Sequence, residues 1–195
     1  MLSRITEYIT KQAVLVLPDI TPEKAEKIEY GLYMGISDIS KVLALLIVSI
    51  PLNIFLLVFT AILSAGSLRL FLGGIHSKTQ IRCLISYFLS IYGSVYLSYI
   101  IPIKINIIIF IIVYTLTYLY APADLPSKPI VSKNHKRKLR LYGFITLSLL
   151  FLLTTLVSNL FANIISINAL IVAIMITPLA YKVTGNTLSN SKKEG

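Results

Sequence analysis

Sulfur and negative charge are both scarce in this chain. Among 195 residues there is one cysteine, Cys83, so no intrachain disulfide can form. Composition alone leaves that thiol free to be a small buried hydrophobe. Only 13 % of the residues are charged, while 56 % are apolar. A water-soluble domain carries charge on about a quarter of its residues, and a fold of this length could not hide so much apolar surface. With a mean hydropathy of +0.82, lipid is the expected cover. The two histidines, His76 and His135, match no zinc spacing with Cys83, and no second thiol or acidic ligand lies near in sequence. Neither a metal nor any other cofactor is expected. No secretory signal is legible at the start, where Arg4, Glu7 and Lys11 interrupt any apolar core. No internal repeat is evident.

Eight acidic residues stand against 18 lysines and arginines, for a net charge of +10. The basic residues flank apolar segments, so they read as membrane topology and contact with anionic lipid rather than nucleic-acid binding. Leu2, Ile5, Ile9, Ala13 and Val16 recur at helical spacing, which predicts an amphipathic interfacial helix over 1–20, ended by Pro18. Thr21-Pro22 marks a helix start, and one long helix is expected from there to Ser49. Asp38 and Lys41, three apart in it, can pair on one face. Further apolar runs cover Leu52–Leu72, Ile81–Ile101, Ile105–Tyr120, Leu141–Leu160 and Ile164–Tyr181. Turns are expected near Pro51, from Pro102 to Asn106, and between Asn159 and Asn163.

The expected fold is therefore all-α: a polytopic membrane helix bundle of about six apolar segments, or four spans plus two re-entrant segments. It forms a single domain, 1–195, with the bundle over 22–182, a basic cytoplasmic loop over 121–140 and a cytoplasmic tail over 183–195. Of the basic residues, only Lys104 falls in the turns assigned to the outer side. Both termini and both basic loops then face the cytoplasm.

The chemistry-bearing stretch runs Arg69-Leu70-Phe71-Leu72-Gly73-Gly74-Ile75-His76-Ser77-Lys78, followed by Cys83. The glycine pair breaks the preceding helix and allows positive φ. A thiol is a weak nucleophile until deprotonated, and an imidazole, nearby cations or a helix N-terminus favour the thiolate. On one continuous helix, residues seven apart are separated by about 10.5 Å along the axis. His76 therefore reaches Cys83 only from a loop that folds back over the start of the next helix. Ser86 shares a helix face with Cys83, where it either bonds its own backbone or supports the site. Arg69 either snorkels to the membrane surface or shapes the loop and binds a substrate carboxylate. No orienting carboxylate is evident beyond the distant Asp38 and Asp124.

These residues carry a resemblance. The string from Arg69 through Gly73-Gly74, His76 and Cys83 resembles a signature of the accessory gene regulator protein B (AgrB) family. Tyr120-Ala121-Pro122-Ala123-Asp124, followed by Lys128-Pro129-Ile130, resembles its second signature. Chain length, the spacing of apolar runs and the basic run after Ile130 are also similar. The resemblance implies a membrane-embedded cysteine endopeptidase of the bacterial cell membrane. Such an enzyme cuts a small AgrD-type propeptide and assists its cyclisation into a quorum-sensing autoinducing peptide. Cys83 matches the nucleophile and His76 the base. Arg69, Gly73, Gly74, Ser86 and Lys128 are candidates for substrate binding or structural support. Expected partners are the propeptide and anionic lipid, with a homodimer by family analogy alone. The basic stretch that includes Lys128, Lys136, Arg137 and Lys138 either marks topology or holds an acidic part of the precursor. The competing reading is a small peptide exporter without proteolytic chemistry, in which Asp38 and Lys41 line the pathway.

Overall fold

A computed structural model describes residues 6–12, 21–75, 80–123 and 132–185. Among the described residues the regular elements are helices, with no strand beyond one isolated bridge. They are α1 (6–12), α2 (Pro22–Ser49), α3 (Phe55–Leu72), α4 (Gln80–Ser98), α5 (Ile105–Tyr120), α6 (Lys133–Leu156), α7 (Asn159–Met175) and α8 (Pro178–Thr184). The chain divides into two compact units, Met1–Pro51 and Leu52–Gly195.

The first unit contains α1 and α2. In α1, Lys11 donates to the Glu7 carboxylate at 2.7 Å. That hydrogen bond and the lysine's charge hold the Glu7 carboxyl below its usual range. The part of the expected amphipathic helix over 1–5 and 13–20 lies outside the described residues. α2 begins as the sequence predicts, with Thr21 extended and Pro22 in the first turn. Thr21 serves through its carbonyl, which accepts from the N–H groups of Lys24 and Ala25, rather than through its hydroxyl. The expected pair within α2 forms, with Lys41 Nζ 3.0 Å from Asp38 Oδ1.

The second unit is organised around α7, which packs against α3, α4, α5 and α6. Small residues make this possible. Ala162, Ser166, Ala169 and Ala173 are buried along α7, and small side chains let helix backbones approach closely where lipid supplies no hydrophobic drive for association. The outward faces are apolar: Ile107, Ile111, Leu149, Leu152 and Leu156 are exposed. Water would not tolerate so large a patch, and lipid does. The chain is a membrane protein with four helices long and apolar enough to span: α2 from Lys24, α3, α4 from Ile81 and α6 from Asn134. α5 is apolar but shorter, and α7 with α8 makes a further pair bent by 72°. The six expected apolar segments thus correspond to helices α2–α7, of which four reach full spanning length.

Two expected boundaries move. The basic stretch over 133–140 is not loop, because α6 starts at Lys133. Lysine and arginine are good helix formers, and the exposed side chains of Lys136, Arg137 and Lys138 are compatible with a helical backbone here. The turn expected between Asn159 and Asn163 lies earlier, at Val157–Ser158. Asn163 is instead buried in α7, where its amide donates to the carbonyls of Ser98 (2.9 Å) and Ile101 (2.7 Å) and accepts from Asn106 (2.8 Å). Asparagine usually marks a turn because it bonds locally. Here the carbonyls at and just beyond the end of α4, which a helix end leaves without intrahelical partners, supply the acceptors. Asn106, expected in a turn, likewise sits in α5 and is buried. Asn163→Leu removes all three bonds. Its expected cost is about 2–4 kcal/mol, from about 1 kcal/mol per interhelical bond plus stranded polar groups, read as a lower thermal midpoint in detergent.

Candidate active site

The site is built where α3 ends. The N–H of Gly73 caps the helix on the Arg69 carbonyl at 3.1 Å, with φ 75° and ψ −142°. Gly74 follows at φ 129°. These dihedrals belong to glycine, as the sequence predicts. The turn is then tied from three sides. The Ala123 N–H donates to the Leu72 carbonyl at 2.9 Å, making a short parallel bridge between Gly73 and Ala123. The Ile75 N–H donates to Met175, the last residue of α7, at 3.4 Å. The Arg69 guanidinium reaches forward six residues and donates to the Ile75 carbonyl at 2.6 Å. Arg69 thereby ties the residue after the glycine pair back to α3.

Residues 76–79 lie outside the described residues, and His76 is among them. Among the described residues α4 begins at Gln80, so Cys83 lies in its first described turn and is half-buried. Cys83 opens onto a cavity of about 110 Å³ between α3, α4 and α7. Arg69, Ile75, Ser86 and Asn168 line it too, and Thr184 of α8 contributes to its wall. Three of the candidate residues therefore meet around one space: Arg69, Cys83 and Ser86. Gly73 and Gly74 form the turn that feeds it, and Ile75, the sequence neighbour of His76, is part of its lining. Lys128 and Asp124 lie outside the described residues. Asp38 is an exposed member of its ion pair in the first unit.

A second cavity, of about 410 Å³, lies at the end of α5 and the start of α6. Lys136, Arg137 and Arg140 line it beside Ala121 and Pro122. Arg140 also donates to the Tyr118 carbonyl and lies 5.0 Å from the Tyr118 ring centroid, a cation–π contact.

Sequence reasoning missed Asn168. It is buried in α7, and its amide nitrogen donates to Ser94 Oγ and to the Ile164 carbonyl, both at 2.9 Å. One signal was available: an amide inside an apolar helix is costly unless something bonds it.

The family model described as Accessory gene regulator B matches residues 2–176 of the chain. No curated protein and no solved structure matches it.

Proposed function

Because this chain belongs to the accessory gene regulator B family, whose general role is the processing of an autoinducing peptide, we propose that it is a cysteine endopeptidase of the bacterial cell membrane. It cuts an AgrD-type propeptide at Cys83 and assists ring closure. The observation that carries this reading is the position of Cys83: first described turn of α4, at a cavity shared with Arg69 and Ile75. The first turn of a helix offers backbone N–H groups and the positive end of its dipole. Both favour a thiolate and the oxyanion that forms when it attacks a carbonyl.

In the proposed reaction, His76 takes the proton from Cys83 Sγ, and the sulfur attacks the scissile carbonyl carbon. The C–N bond breaks, and the departing amine takes the proton back from His76. The peptide's N-terminal part stays on Cys83 as a thioester. A thiol or hydroxyl within that peptide then attacks the thioester, releasing Cys83 and closing a thiolactone or lactone. Exclusion of water at membrane depth favours this exchange over hydrolysis. A cytoplasmic location of this site and of both termini is supported by the basic residues of α6 under the positive-inside rule, which also fit an anionic lipid surface or an acidic part of the precursor. The charges an exporter would use, Asp38 and Lys41, neutralise one another within α2.

The test is to incubate the purified protein in liposomes with the precursor. The expected result is a shortened peptide and a transient adduct on Cys83 that hydroxylamine releases. Cleavage with no adduct, or no cleavage, would overturn the reading.

A further inference from the structure

Positive charge gathers at the start of α6 in a unit almost without acids. Beyond Pro51 the carboxylate side chains are Asp124 and Glu194 alone, and both lie outside the described residues. Yet Lys136, Arg137 and Arg140 line a single cavity of about 410 Å³, a size at which small-molecule sites are found. Its cationic wall is preorganised. Arg140 donates to the Tyr118 carbonyl and lies 5.0 Å from that ring's centroid, so its guanidinium is positioned before any ligand arrives, which lowers the ordering cost of binding. Arg137 precedes it by three residues and therefore neighbours it on the helix surface. The facing wall, Ala121 and Pro122, is also fixed. The Ala121 N–H donates to the Thr117 carbonyl at 3.0 Å, and the Ala123 N–H to the Leu72 carbonyl at 2.9 Å.

The cavity also lies on a border. Arg137, Leu141, Ile145 and Leu149 follow one another at four-residue spacing, which makes one row along α6, and all four are exposed. Below its cation this row is apolar for the twelve residues to Leu149, roughly 18 Å at the helical rise, against about 15 Å for the hydrocarbon depth of one leaflet. A negative head above an apolar tail is the ligand that matches both parts. We propose that the cavity binds one anionic phospholipid, with its phosphodiester held by Arg137 and Arg140 and an acyl chain lying along Leu141, Ile145 and Leu149. The planar guanidinium suits phosphate oxygens, and basic pockets between membrane helices take such headgroups. An acidic peptide would match the charge but leave the apolar row unused. This goes beyond the peptidase reading and uses no step of it.

The experiment titrates the full-length protein in detergent with a fluorescent phosphatidylglycerol, and with a phosphatidylcholine bearing the same chains. Salt is held at about 0.15 M, where the Debye length is about 8 Å and diffuse attraction is largely screened. The expected result is saturable binding of one phosphatidylglycerol per chain, about tenfold tighter than phosphatidylcholine. Arg137→Gln and Arg140→Gln should each weaken phosphatidylglycerol binding about tenfold, the scale of a lost charge-assisted hydrogen bond, and leave phosphatidylcholine unchanged. Lys138→Gln is the matched control. It removes the same charge from the same turn, but Lys138 is exposed and does not line the cavity, so its effect should stay below about twofold. Glycerol phosphate, a head without tails, should not displace the lipid at equal concentration. If Arg140→Gln fails to fold for want of its tie to Tyr118, Arg137→Gln, at an exposed side chain, still decides. Equal affinity for the two lipids would overturn the proposal, and so would equal losses in Lys138→Gln and Arg137→Gln, which mean a diffuse field without a site. Displacement by glycerol phosphate or by the precursor peptide at equal concentration would overturn it too, assigning the cavity to a soluble anion or to the peptide.

Discussion

Cys83→Ala is expected to bring precursor cleavage in liposomes down to background, a loss of more than a thousandfold. Removing a nucleophile leaves only the binding and oxyanion contributions of a site, which cannot form the acyl intermediate. His76→Ala should lose about 10²–10⁴-fold, the usual contribution of a general base, and should leave slow residual turnover that rises with pH as hydroxide takes over the thiol proton. The two variants thus separate the roles by pH as well as by size. The check is the initial rate of product formation by mass spectrometry, at several pH values. Full cleavage by Cys83→Ala would remove the thiol from the mechanism. A pH profile for His76→Ala parallel to that of the unaltered protein would remove the imidazole. Because Cys83 is only half-buried and its replacement leaves a methyl group in a cavity wall, the fold should survive Cys83→Ala.

The second large effect is expected at the turn that feeds the site. A Cβ on Gly73 would stand 2.6 Å from the Ala123 carbonyl oxygen, a backbone atom that cannot step aside without breaking the bridge to Leu72. The backbone angles at Gly73 add a penalty of about 1–3 kcal/mol for any other residue. Gly73→Ala should therefore cost about 3 kcal/mol or more once the steric overlap is included, and it should displace the Ile75 carbonyl from Arg69. Thermal midpoint and cleavage rate should fall together. Gly93→Ala is the matched control. Gly93 lies inside α4 with open space around its Cβ position, and alanine is the better helix former by about 1 kcal/mol. Its midpoint should hold or rise. Equal midpoints for the two variants would show that the turn does not depend on glycine.

Much of this architecture is written in local pattern. The long apolar runs, punctuated by Pro51, Pro102 and the Gly73-Gly74 pair, locate the helices because a backbone in lipid must satisfy itself by helical hydrogen bonding. The start of α2 at Pro22 and both ends of α5 coincide with the segments read from the sequence. So does the pairing of Asp38 with Lys41, which depends only on three-residue helical spacing. The start of α6 was not legible in that way. Charge density looks like loop in a one-dimensional reading, yet Lys133 to Arg140 are helical, since a helix end can carry charge wherever it leaves the bilayer.

The sequence by itself determined that this chain lives in a membrane, that its helices break near Pro51, Gly73-Gly74 and Pro102, and which thiol follows a glycine turn. Those properties follow from composition and from backbone constraints a few residues in range. Only the tertiary structure decided that Arg69 clasps the carbonyl of Ile75, that Met175 pins the same residue from α7, and that Cys83 shares a cavity with Asn168. It also decided that Asn106 and Asn163 are buried in helices rather than spent in turns, and that Asn168 is buried within α7. The physical reason is range. A hydrogen bond between residues separated by 57 or 74 positions forms only after helices have packed, and no local pattern records which of many polar groups will meet there.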